Sequence, residues 1–229
     1  MAFRDDVRRI RAIVWKDLTT ERRSKAGFNS VASLGVTILV LFGLALGADT
    51  QMMHAAAAGA LWLAVLFAGV LAFNRSYQVE LDGGALEALL LYPGSRWAIF
   101  AGKLIANLIF VTLMLVIVVA VGLVLFNVRV PTHWPQLVGI LMLGIIGIVA
   151  LGTFYAAMSS RSRAREVLLP LLLYPMLIPL ILAAMMATNV YLAGDDLMGD
   201  VRSWATLLGA FDVIFLSATF IAFEYVIEV

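Results

Sequence analysis

Six stretches of twenty or more mostly apolar residues constrain this chain before anything else does. They fall at about 29–48, 54–73, 97–126, 135–158, 167–188 and 205–227. About 20 apolar residues cross the hydrocarbon layer of a bilayer as a helix. Inside lipid the backbone must satisfy its own hydrogen bonds, so open runs of this length are helices rather than barrel strands. Together they use most of the 229 residues, leaving little for a catalytic domain outside the bilayer. The composition agrees: 63% of the residues are hydrophobic and 14% are charged, against about 25% charged in soluble domains. An ordinary water-soluble globule, a disordered chain and a nucleic-acid binder are excluded. The chain has no cysteine, which removes disulfides, iron–sulfur ligation, thiol catalysis and covalent haem attachment.

Residues 1–25 hold eight of the sixteen basic residues, too long a charged stretch for a removable signal peptide. Within it Phe3, Val7, Ile10, Val14 and Leu18 recur at three- and four-residue spacing, the stripe of an amphipathic helix. The reading is a helix over residues 1–28 lying on the membrane surface with basic side chains toward anionic head groups. A solvated basic leader is the plainer alternative. With six spans and an internal start, fourteen basic residues fall on the cytoplasmic side and only Arg129 and Arg202 outside. That excess in short loops places both termini in the cytoplasm.

The loop between the second and third spans carries the strongest functional signal. It reads Glu80, Leu81, Asp82, Gly83, Gly84, Ala85, Leu86, Glu87, Ala88, Leu89, Leu90, Leu91, Tyr92, Pro93. The glycine pair breaks the second span, residues 85–91 favour helix, and Pro93 stops it. A two-turn, leucine-rich helix of this kind suits either a groove on a partner or burial at the lipid interface.

This loop resembles the coupling segment of ABC exporter permeases, the short helix that seats in an ATPase subunit. Its pattern E-x-D-G-x-x-L-E-x-L-L-L-x-P is similar to that of the CcmB family, the haem exporter B proteins of cytochrome c maturation. Residues 168–179, with Pro170, Pro175 and Pro179, resemble that family's proline-punctuated fifth helix, and Lys16-Asp17-Leu18 matches its leader. The sequence departs from the family pattern at Gly84 and at Ala183-Ala184. The resemblance implies an all-α, polytopic, ABC-2 or type V exporter-like fold: the interfacial helix at 1–28, then a six-span domain at 29–229 with a coupling helix at 80–93. It implies a non-enzymatic permease subunit of the inner membrane, in an ATP-driven complex that exports haem or releases a haem-loaded periplasmic chaperone. ATP is bound by a CcmA-like ATPase partner, since this chain has no G-x-x-x-x-G-K-[ST] loop. CcmC-like and CcmD-like membrane subunits, indirectly a CcmE-like chaperone, and a second copy of the chain complete the implied partners. No resident cofactor is implied; haem is cargo. The ATPase contact is expected at Glu80, Asp82, Gly83, Leu86, Glu87, Leu89, Leu90 and Pro93. A permease of the same architecture exporting a drug, lipid or glycan is the alternative.

Other residues have two readings each. Asp212 lies about seven residues into the sixth run, and a membrane-buried carboxyl marks a partner, a water path or a structural hydrogen bond. Pro170, Pro175 and Pro179 remove backbone hydrogen bonds, so the fifth span should bend or contain an irregular section, as a hinge or as static packing. Lys103 is expected to snorkel to the interface. Gly43 and Gly47 form a G-x-x-x-G that permits close helix approach. His54 and His133 read as interfacial polar residues before haem ligands, and Trp97, Trp134 and Trp204 as an aromatic belt. The sequence has neither an H-E-x-x-H motif nor paired histidines within the spans, which argues against an intramembrane enzyme.

Overall fold

A computed structural model of the chain describes residues 2–23, 25–47, 49–82, 95–128, 132–160, 164–193 and 198–226. Among them are seven helices and no strand: α1 (Ala2–Arg23), α2 (Lys25–Leu46), α3 (Thr50–Asp82), α4 (Arg96–Leu125), α5 (Trp134–Ser159), α6 (Arg165–Ala193) and α7 (Met198–Val226). The last six contain segments long and apolar enough to cross a membrane, and the chain is a multi-pass membrane protein. The helices alternate in direction. One end of the bundle therefore carries α1, the end of α3 and the start of α4; the opposite end carries the start of α3 and the end of α4.

Two helices form the centre. The apolar windows of α3 and α5 are mostly buried, whereas those of α2, α4, α6 and α7 leave most of their residues at the surface. The centre closes because α5 is notched by glycines. The Trp62 indole of α3 fills the space where Gly144 would carry a Cβ, and Phe73, about three turns further along α3, does the same at Gly152. Both aromatic side chains are fully buried. The Trp62 Nε1–H donates to Thr188 Oγ1 of α6 at 3.0 Å, and that hydroxyl donates to the Ala184 carbonyl at 2.7 Å. One side chain thus ties three helices together and leaves no polar atom orphaned.

Several helix limits differ from the apolar runs for local reasons. Helix α3 continues nine residues past the second run, since nothing between Phe73 and Asp82 breaks a helix until Gly83. Helix α7 starts at Met198 rather than near 205. Of the bend or irregular section expected in α6, the irregular section does not occur: the helix is continuous from Arg165 to Ala193 through all three prolines. Leu169, Leu173, Leu177 and Leu180 face inward with no exposure, while Pro175 and Pro179 sit on the exposed side and Pro170 is half-buried. The G-x-x-x-G is not a packing motif. Gly43 approaches Leu125 of α4, but Gly47 follows the last residue of α2 at φ +66°, where a side chain would be strained.

Gly144→Val should force the indole of Trp62 out of its notch and lower unfolding stability by about 1–3 kcal/mol. A thermal unfolding midpoint in detergent reads this directly; an unchanged midpoint would mean that the notch is not needed.

Candidate functional site

The start of α4 touches four other helices, α1, α3, α5 and α7. Ser95 lies before its first turn, and the Ser95 backbone N–H and hydroxyl both donate to the Asp6 carboxylate of α1. Arg9 of α1 donates from Nη1 to the Ser95 carbonyl at 3.3 Å. One and a half turns along, Gly102 faces Ile13: a Cβ at 102 would lie 2.9 Å from the isoleucine side chain. Phe100 meets Phe220 and Phe223 of α7, with ring centroids 4.9 and 4.7 Å away. Asn107 donates to Thr153 of α5 at 3.0 Å.

Lys103 is the centre of this arrangement. It is 1% exposed, so it does not snorkel to the surface as its position in the third run led one to expect. Its ammonium lies 3.0 Å from Asp17 Oδ2, donates to the Ser76 carbonyl at 2.8 Å and stands 5.2 Å from the centre of the Tyr77 ring. Asp17 also lies 3.2 Å from Lys16. The Lys16-Asp17-Leu18 element therefore delivers a carboxylate to a cation 86 residues away. A second pair stands beside the first, with Arg75 Nε of α3 3.7 Å from Glu21 Oε2 of α1. Burial pushes the Glu21 carboxyl up from its ordinary range, while the Arg75 charge and a backbone hydrogen bond at Phe28 pull it down. A cavity of about 240 Å³ opens between these pairs, lined by Lys16, Asp17, Glu21, Arg75, Asn107 and Phe110 among others.

These contacts set the face that α1 presents. Asp6, Ile13, Asp17 and Glu21 point at the bundle, with Ile13 3% exposed. The apolar stripe read from the sequence overlaps this face in part: Ile10, Val14 and Leu18 are half-buried, and Val7 is 47% exposed. Polar partners help to set this face because an isolated buried ammonium costs several kcal/mol.

The segment expected to contact an ATPase emerges beside this cluster. Glu80 and Asp82 lie in the last turn of α3, so they close that helix rather than open the next one. Gly83, Leu86, Glu87, Leu89, Leu90 and Pro93 lie outside the described residues. Asp212 is deeper than expected, eleven residues past the first residue of a span running Val201–Glu224. It is 5% exposed, packs beside Gly147 of α5, and neither carboxylate oxygen has a hydrogen-bond partner among the described residues. No hydroxyl therefore satisfies it in this packing. His54 lies at the opposite end, 3.2 Å from the Asn127 carbonyl, and His133 is exposed there before α5. No metal-binding cluster of acidic residues and histidines occurs among the described residues.

Asp17→Asn should leave the Lys103 ammonium buried without its counter-charge and cost about 3 kcal/mol of stability. Adding Lys103→Met should recover most of that loss, and a double-mutant cycle by thermal unfolding measures the coupling. Additive losses would show that the two groups do not interact. Asp212→Ala removes a buried group without a partner and should raise stability by about 1–3 kcal/mol. A lower unfolding midpoint for that variant would reveal a bond that the fold needs.

The comparisons with known proteins cover most of the chain. The CcmB protein family matches residues 8–229. Heme exporter protein B of Rhodobacter capsulatus is 29% identical over 171 residues, 74% of this chain and 78% of the relative. The protein of that name from Haemophilus influenzae is 27% identical over 172 residues, covering 75% and 77%. That of Paracoccus denitrificans is 26% identical over 189 residues, covering 82% and 86%. With the match running from the first turns of α1 to the end of α7, this chain belongs to the CcmB family.

Proposed function

We propose that the chain is the permease subunit of an ABC transporter complex in cytochrome c maturation. It takes the work of ATP hydrolysis from a separate ATPase subunit and uses it to export haem or to release a haem-loaded periplasmic chaperone. The family match and relatives named as haem exporters support the cargo. The absence of a phosphate-binding loop from the sequence supports a separate ATPase. Membrane subunits of the CcmC and CcmD kind complete the proposed complex.

The observation that carries this reading is the grip of α1 on Ser95. Ser95 is where the chain re-enters the bundle after the leucine-rich segment at 80–93. A push on that segment reaches α4 at its first residue. From there it meets α1 through Asp6 and Arg9, α7 through Phe100, α3 through Lys103 and α5 through Asn107. The force enters a packed hub rather than a loose loop. The basic residues at this end, against Arg202 at the other, support a cytoplasmic α1 and an inner-membrane location.

A second copy of the chain is part of the proposal. Pro175 and Pro179 remove backbone donors on an exposed side of α6. Carbonyls left without partners are costly in lipid, and Leu171, Ile178 and Leu182 on this helix are also exposed. A second α6 packed there covers both.

The test is a Leu86→Asp, Leu90→Asp variant. Burying each leucine is worth roughly 1.5–3 kcal/mol, so the variant should bind the ATPase about a hundredfold or more weakly while still inserting in the membrane. Co-purification reads the loss. Undiminished retention of the ATPase would remove the proposed contact.

A further inference from the structure

A second cavity, about 420 Å³, lies on the other side of Arg75, between α2 and α3. Its polar lining is Ser30, Asn74, Gln78 and the Arg75 side chain; Val31 and Leu71 form the apolar wall. The only described charge in the lining is positive. The guanidinium reaches this place because position 27 is glycine: a Cβ there would overlap Arg75 Cζ, Nε and Nη2. The Arg75 side chain is therefore seated against the α2 backbone, one third exposed, with Glu21 on its α1 side at 3.7 Å. A guanidinium presents a planar fork of donors that matches phosphate oxygens, and a hydroxyl and two amides can add neutral donors around it.

The level of the cavity identifies the source of such an anion. Arg75 comes two residues after the apolar run of α3 ends at Phe73, and Leu71, one turn below, is 40% exposed. Head groups lie at this boundary, with acyl chains below it. Basic pockets between membrane helices at such a level suit anionic lipid head groups.

We propose that this cavity binds a negatively charged phosphate, and that a phospholipid head group supplies it with its acyl chain lying along Leu71. Ser30, Asn74 and Gln78 donate to the phosphate oxygens while Arg75 balances the charge. Inorganic phosphate offers the same chemistry without the chain.

The test uses the full-length chain in neutral detergent, titrated separately with phosphatidylglycerol, phosphatidylcholine and inorganic phosphate. Thermal unfolding and native mass spectrometry read the binding. Phosphatidylglycerol should bind about tenfold more tightly than phosphatidylcholine, the size expected for a charge-assisted contact. Arg75→Gln should abolish that preference. Asn74→Leu with Gln78→Leu, which leaves the Arg75–Glu21 pair in place, should weaken phosphatidylglycerol binding by a similar factor and covers the case in which Arg75→Gln fails to fold. Stabilisation by inorganic phosphate alone, lost in the same variants, would confirm the anion site and assign it to a solution ligand. Equal binding of both lipids, or a preference that survives in the Asn74/Gln78 variant, would overturn the proposal.

Discussion

Lys103 sits nearly two turns inside a membrane helix with almost no exposure, and an ammonium in that position must be answered by protein. The answer comes from three groups on two helices: the Asp17 carboxylate of α1, and the Ser76 carbonyl and the Tyr77 ring of α3. Those three are available together only if α3 runs beyond its apolar stretch and α1 lies against α4. One buried charge therefore fixes how an otherwise surface-seeking basic helix docks. The Glu21–Arg75 pair and the contacts at Ser95 then hold the two ends of α1. Ion pairs of this kind add little net stability over apolar packing, but they make wrong registers expensive because any slip strands a charge.

The centre of the bundle follows different physics. Association of helices in lipid has no hydrophobic drive between them, so packing depends on close approach and on matched shapes. Gly144 and Gly152 receive Trp62 and Phe73, and the resulting α3–α5 pair supports four outer helices. The two regions meet at the start of α4, where Phe100 reaches α7 and Asn107 reaches α5. The polar end thereby sets the position of the outer helices as well as of α1.

The six helices were legible in the sequence because a membrane span is a signal within one segment: length and apolarity suffice. The family was legible because its motif also sits within one short stretch. The docking of α1 was not, since the partner of Asp17 lies at Lys103 and that of Glu21 at Arg75. Periodicity ranks Phe3, Val7, Ile10, Val14 and Leu18 as the apolar stripe of a surface helix, and it has no means to see a buried charge that demands Asp17. The signal that could have shown it was Lys103 itself, a cation within an apolar helix that needs an acid somewhere. Trp62 escaped for the same reason: its meaning lies in Gly144 and Thr188, each on another helix.

The three prolines show how side and depth decide the effect of a residue whose local chemistry is plain. Each removes a backbone donor wherever it stands. Helix α6 nevertheless stays continuous, because Leu169, Leu173, Leu177 and Leu180 hold its inner face against the core along the same turns. The consequence of the missing donors is therefore moved outward, to the side where Pro175 and Pro179 are exposed. Asp212 is the converse case, a polar group facing inward beside Gly147 with no hydrogen-bond partner among the described residues. The bundle thus lacks backbone donors at exposed positions of α6 and holds a carboxyl inside that has no hydrogen-bond partner among the described residues. The outer face can be completed by a neighbour without changing the packing. The inner carboxyl lies where α7 meets Gly147 of α5, so completing it falls to the packing of those helices rather than to the lipid-facing side.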